Sequence, residues 1–172
     1  MKVAEYVGSL SKLLDGADDA VFLISKVLKA AKNDRRSVWI LGNGGSLAVA
    51  QHFAQDLLKM AEIKAQCLND PSVITAYSND HAFDYCYYAP LRVLRGDHDP
   101  VIIFSCSGKS RNYIEFVSGG VHPLIAVVGT DGGFLKDSAD IVLHIFSNDY
   151  QLCETAFSIL CDLVLKELME NK

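Results

Sequence analysis

Ser37-Val38-Trp39-Ile40-Leu41-Gly42-Asn43-Gly44-Gly45-Ser46 runs from an apolar segment into a glycine turn and a serine able to cap the next helix. The apolar run has no alternation, as expected of a strand covered on both faces of a parallel sheet. Three more runs have the same form: Val101–Phe104 stopping at Ser105, Leu124–Val128 stopping at Gly129, and Ile141–Ile145 stopping before Ser147. Ile63–Leu68 is a candidate for a further short strand. Between them lie helical patterns at Ser46–Met60, Ser110–Val117, Phe134–Asp137 and Tyr150–Glu170. Strand alternating with helix specifies an α/β domain built on a parallel sheet.

The segment before the first strand reads as two amphipathic helices. Val3, Tyr6, Val7, Leu10, Leu13 and Leu14 share one face, as do Ala20, Leu23, Ile24, Val27, Leu28 and Ala31, with Asp15-Gly16 as a turn between them. A chain of 172 residues suits one compact domain, 1–172, with no linker to divide it. Half the residues are apolar and 22% charged, which argues against disorder. The formal charge of −5 gives no nucleic-acid footprint. No apolar stretch is long enough to span a membrane, and the first fourteen residues lack the apolar core of a signal peptide. Five scattered cysteines without a C-x-x-C pair fit reduced thiols in a cytoplasmic protein.

In such a sheet, ligands bind beyond the carboxyl ends of the strands. That rule selects Gly42–Ser46, Ser105–Ser110, Gly129–Gly133 and Ser147–Tyr150. Ser105-Cys106-Ser107-Gly108-Lys109-Ser110 places three hydroxyls in six residues, after a strand and at the expected start of a helix. Hydroxyls, free N–H groups and a pliant glycine make a phosphate cradle; a plain serine N-cap is the alternative. Gly108-Lys109-Ser110 is only the tail of a nucleotide P-loop, and Leu47 stands where a dinucleotide fingerprint needs its last glycine, so no nucleotide is expected. His52 and Asp56 lie four apart on one helical face, as an acid/base or metal pair or as a plain surface contact. Ser78-Asn79-Asp80 reads as a turn-like cluster.

With these segments in order, the chain resembles the SIS (sugar isomerase) domain family, in particular its phosphoheptose isomerase subgroup. Gly42–Ser46 followed by Ala50-Gln51-His52-Phe53-Ala54 is similar to the subgroup's first motif, and Ser105–Ser110 to its S-x-S-G-x-S phosphate loop. Asn79-Asp80 and Gly129–Gly133 match later landmarks. The resemblance implies a three-layer, Rossmann-like fold with a five-stranded parallel sheet flanked by helices. It further implies a homotetramer that converts sedoheptulose 7-phosphate to a manno-heptose 7-phosphate. Substrate residues carried over are Asn43, Gly44, Ser46, Asn79, Asp80, Ser105, Cys106, Ser107, Ser110 and Glu154. Family members often hold zinc through a His and a Glu on the first-motif helix and a Gln and a His on the last helix.

At that metal end the sequence departs from the pattern. His52 matches the metal-binding His, while Asp56 replaces the usual Glu. Counting from Ser147 puts Glu154 at the Gln position, and Phe157 and Asp162 where His is usual. A shift of one residue puts Cys153 and Cys161 at the Gln and second-His positions. The first register gives His52, Asp56, Glu154 and Asp162 as ligands for one divalent metal, zinc by resemblance, with Asp56 and Asp162 as the acid/base residues. Asp162 also reads as an ordinary charge paired with Lys166. The expectation is a ketose–aldose isomerase of a phosphorylated sugar; the alternative is a non-catalytic sugar-phosphate-binding or regulatory protein.

Overall fold

Five strands, β1 (Val38–Gly42), β2 (Ala65–Cys67), β3 (Val101–Ser105), β4 (Leu124–Val128) and β5 (Ile141–His144), pair in parallel in the order β2-β1-β3-β4-β5. The computed structural model describes residues 2–170. Strand order reverses at β1, whose neighbours are β2 and β3, so the β1 and β3 ends open a crevice at a switch point. The glycine turn and the serine loop leave the sheet there.

Helices cover both faces. On one side α1 (Val3–Leu14), α2 (Asp18–Asn33), α3 (Gly45–Met60) and α8 (Tyr150–Glu170) pack Leu28, Phe53, Phe157 and Leu160 onto Ile40, Ile102, Phe104 and Val127. On the other side lie α4 (Pro71–Asp80), α5 (Tyr88–Leu94), α6 (Ile114–Ser118) and α7 (Gly133–Ser138). There Leu91, Tyr113, Phe116 and Leu135 pack onto Trp39, Leu41, Ile103 and Ala126. Neighbouring residues of β1 thus enter opposite cores, which is why the strand reads as an unbroken apolar run. No helix among the described residues is long and apolar enough to cross a membrane.

Two expectations change. Ser78-Asn79-Asp80 is the last turn of α4. That helix is started by Asp70, whose Oδ1 accepts from the backbone N–H groups of Ser72 at 2.8 Å and Val73 at 3.2 Å, with Pro71 in the first turn. The second concerns the serine loop, which does not open onto a long helix. Ser110 precedes a 3-10 turn, Arg111–Tyr113, and then the five-residue α6. Any anion there is held by loop groups rather than by a helix dipole.

Candidate functional site

The serine loop is shaped by its own hydroxyls. Ser105 Oγ accepts from the Gly108 N–H at 3.0 Å, and Ser107 Oγ accepts from the Lys109 N–H at 3.2 Å. A hydroxyl that accepts in this way keeps its proton for an outside acceptor. Ser105 and Cys106 are buried; Ser107 and Ser110 are half-exposed and are the hydroxyls an anion can reach. Gly108 is required twice, by its φ of +65° and by a backbone contact: an added Cβ would lie 1.8 Å from the Gly132 carbonyl oxygen. The Gly129–Gly133 segment therefore buttresses the loop. Lys109 Nζ completes the brace by donating to Asp131 Oδ2 at 2.6 Å, which holds the Asp131 carboxyl below its ordinary range.

The glycine turn faces this loop. Asn43 and the buried Asn112 exchange two amide hydrogen bonds, both at 3.0 Å, and Tyr87 Oη donates to the Gly42 carbonyl at 2.7 Å. Asn43 thus has a structural role that its motif position did not announce. Ser46 is buried at the start of α3 and donates to Glu154 Oε1 at 3.1 Å. The Glu154 carboxylate lies over Gly45, where an added Cβ would meet Oε2 at 2.1 Å. Asn79 and Asp80 are exposed at the end of α4, with Asn79 donating to the Asp80 carboxylate at 2.9 Å.

Helices α3 and α8 leave the sheet side by side, and further along their seam lies a cleft of about 250 Å³. Val49, His52, Phe53, Asp56, Ser158, Cys161 and Asp162 line it. His52 Nε2 is 3.1 Å from Asp56 Oδ2; the Asp56 side chain is 26% exposed and that of His52 73%, so the carboxylate is the deeper partner. Cys161 approaches from α8, its thiol pKa pushed up by burial and by the Asp56 charge. Asp162 forms an ion pair with Lys166 at 2.6 Å on the outer rim. Phe157 is in the core against Phe104, with ring centroids 5.8 Å apart.

The four expected metal ligands do not meet. Glu154 and Asp162 are eight residues apart on α8, about 12 Å along its axis, and Glu154 is committed to Ser46. Among the described residues no three His, Cys, Asp or Glu side chains converge as a metal site. The donor set of one chain therefore does not fit the zinc that the resemblance implies. The cleft does gather His52, Asp56 and Asp162, and adds Cys161, the position given by the shifted register.

Cys106 and Cys153 were not expected to meet, yet both flank Gly129, where an added Cβ would lie 2.7 Å from Cys153 Sγ and 3.3 Å from Cys106 Cα. The neighbouring Cys106 thiol holds the Cys153 pKa below its ordinary value, while the Cys153 thiol and burial push that of Cys106 up. Nothing in the spacing of residues 106 and 153 could have disclosed this proximity. Tyr87 and Asn112, which fix the glycine turn, were also missed, because they come from elements with no motif of their own.

No protein-family model matches the chain. It is 32% identical over 159 residues to the phosphoheptose isomerase of Geobacter metallireducens, covering 84% of this chain and 83% of that protein. It is 32% identical over 174 residues to that of Citrifermentans bemidjiense, covering 94% and 87%. The fold matches the solved structure of a phosphoheptose isomerase from Francisella tularensis with a TM-score of 0.88 and 22% identity, over 97% of this chain and 94% of that one.

Proposed function

Because this chain belongs to the phosphoheptose isomerase family, we infer that it interconverts sedoheptulose 7-phosphate and D-glycero-manno-heptose 7-phosphate. The observation that carries the mechanism is the placing of both ends of a site along α3. Its first turn faces the serine loop, and the His52–Asp56 pair follows about 9–15 Å down the helix. Ser107 and Ser110 donate to the phosphate, with Ser105 and Cys106 shaping the loop beneath them. Ser46, Gly44 and Glu154 bound the sugar chain, Asn43 fixes the turn, and Asn79 and Asp80 supply polar groups from α4.

Ketose–aldose isomerisation passes through an enediol: a base takes a proton from the carbon beside the carbonyl and the proton is returned one carbon along. Asp56 is the base, oriented by His52, and Asp162 is the candidate for the second proton transfer. A divalent metal would polarise the carbonyl oxygen, but among the described residues no three donors converge on one, and no step is routed through it. The exposed apolar side chains of α1, α2 and α8, including Val3, Val7, Phe22 and Leu163, fit a homotetramer. A soluble sugar phosphate and reduced thiols fit the cytoplasm, and 1–172 acts as one domain. Purified protein should form the aldose from sedoheptulose 7-phosphate, followed by NMR; absence of turnover with tight phosphosugar binding would replace the enzyme by a binding protein.

A further inference from the structure

Asn112 is wholly buried and carries an amide whose polar atoms must find partners inside the protein. Its Nδ2 donates to Asn43 Oδ1 at 3.0 Å, and its Oδ1 accepts from Asn43 Nδ2 at 3.0 Å. A weaker contact runs from Asn112 Nδ2 to Cys86 Sγ at 3.7 Å. The Asn43 amide is paired along one edge only. One N–H and one oxygen lone pair remain to it, and the residue is half-exposed in the glycine turn. Asn112 itself is set by the serine loop. It is the middle residue of the 3-10 turn Arg111–Tyr113, which the Tyr113 N–H closes onto the Ser110 carbonyl at 3.1 Å. Arg111 fastens that turn to Asp84, with Nη2 donating to Oδ2 at 2.7 Å. One buried side chain thus bridges the two segments that leave β1 and β3.

We propose that Asn112 is a positioning residue for the isomerisation: it locks the Asn43 amide so that the free Asn43 N–H meets a sugar oxygen in register with a phosphate held at Ser107 and Ser110. The proposal rests on the isomerase reading. An asparagine at a water-facing turn rotates easily about its last torsion, whose profile is broad. It would present donor or acceptor to a ligand indifferently. Two hydrogen bonds to a buried amide remove that freedom. Because Asn112 lies two residues beyond Ser110, the phosphate end and the sugar end are referred to one rigid piece of chain. Asn112 is too deep to touch a ligand, so its effect passes through Asn43 and falls on the sugar rather than on the phosphate.

Two variants of the full chain test this. Asn112→Leu removes both bonds at similar volume, and Asn112→Asp keeps the shape. The kcat and KM for sedoheptulose 7-phosphate are followed by NMR, and the Kd for inorganic phosphate by calorimetry. Asn112→Leu should lower kcat about 10- to 100-fold, with the phosphate Kd within about twofold of the parent's. In Asn112→Asp the protonated carboxyl donates its O–H to Asn43 Oδ1 and accepts from Nδ2, which restores the pair. Once ionised, it has no proton for Asn43 Oδ1. Burial raises the pKa of the new carboxyl, so the ratio of variant to parent kcat should rise as pH is lowered from about 8 to about 5. The Cys86 thiol, which faces the amide, is pushed up by burial and keeps its proton over that range, and Arg111 and Asp84 are paired with each other. Parental kcat in Asn112→Leu overturns the positioning role, as does a phosphate Kd that worsens in step with kcat, which would mean plain support of the loop. A ratio for Asn112→Asp that is flat with pH overturns it as well, and decides alone if Asn112→Leu does not fold. A parent without turnover ends the isomerase reading and this role together, whereas an active parent with unaffected variants ends the role only.

Discussion

Glu154 reaches back from the second turn of α8 to accept a hydrogen bond from Ser46 Oγ at 3.1 Å, and its carboxylate fills the space a Gly45 side chain would need. The two helices that carry the site are therefore keyed together at the mouth of the crevice by one charged hydrogen bond. Gly45→Ala tests this key. The new methyl would displace the end of a flexible side chain rather than backbone, so the fold should persist. Losing the contact should move Ser46 and the sugar-facing edge, and errors near 1 Å cost about 10²-fold in rate. The expected result is a cooperative melt close to the parent's, with turnover lowered about 10- to 100-fold. A variant of parental activity would show that the key has no catalytic consequence.

Gly108→Ala should behave differently. Here the clash is with the backbone carbonyl of Gly132, and the position has a φ of +65°. Neither neighbour can swing away, and the substitution imposes left-handed strain. A loss of about 1–3 kcal/mol is expected, which lowers Tm by roughly 2–4 °C per kcal/mol for a chain of this size. Thermal melts monitored by circular dichroism check it, and an unchanged Tm would remove Gly108 from the brace between the two loops.

Ser107 and Ser110 are the half-exposed hydroxyls of the loop, and their removal should act on affinity rather than on folding. Hydrogen bonds to a charged group contribute about 1.5–3 kcal/mol. Ser107→Ala and Ser110→Ala should each raise the Kd for sedoheptulose 7-phosphate about tenfold or more. Ser105→Ala should instead disturb the turn, because the Ser105 hydroxyl accepts from the Gly108 N–H at 3.0 Å. Calorimetric titration of the three variants separates contact from support; parental affinity in both Ser107→Ala and Ser110→Ala would take the phosphate out of this loop.

The sheet was legible because its strands are covered on both faces: Val38 to Leu41 and Val101 to Phe104 contain no polar residue, so the strands and the loops beyond their carboxyl ends could be read together. The serine loop was legible for a related reason, since its hydroxyls are crowded into one short segment. Helix α4 was not, because Asp70-Pro71 starts a helix with no buried residue, leaving no apolar period to detect. The chemical end was the hardest to read. Its residues come from two helices, and which α8 side chains face α3 depends on a helical phase that counting from Ser147 does not fix. Phe157 turning into the core and Cys161 turning toward Asp56 are consequences of that phase.

The deepest acid in the cleft is Asp56, 3.1 Å from His52 Nε2 and less exposed than it. If Asp56 removes the proton, Asp56→Asn should abolish turnover while leaving phosphosugar affinity nearly intact. The amide keeps the shape of the carboxylate but cannot take up the proton, and general acid–base contributions of about 10² to 10⁴ set the expected loss. His52→Gln, which removes only the orienting partner, should lower turnover less than Asp56→Asn does. Aspartate is one methylene shorter than glutamate, so its carboxylate stays close to α3 and reaches less far into the cleft. Asp56→Glu should therefore raise activity, provided Cys161 and Ser158 leave room for the longer side chain. The three variants are compared by single-turnover rate and by calorimetric Kd, each before and after dialysis against a chelator. Because no three donors converge among the described residues, the ranking of the variants should survive the chelator. Asp56→Asn turning over as fast as the parent would move the base to His52, and a ranking that collapsed on metal removal would show that donors from more than one chain complete the site.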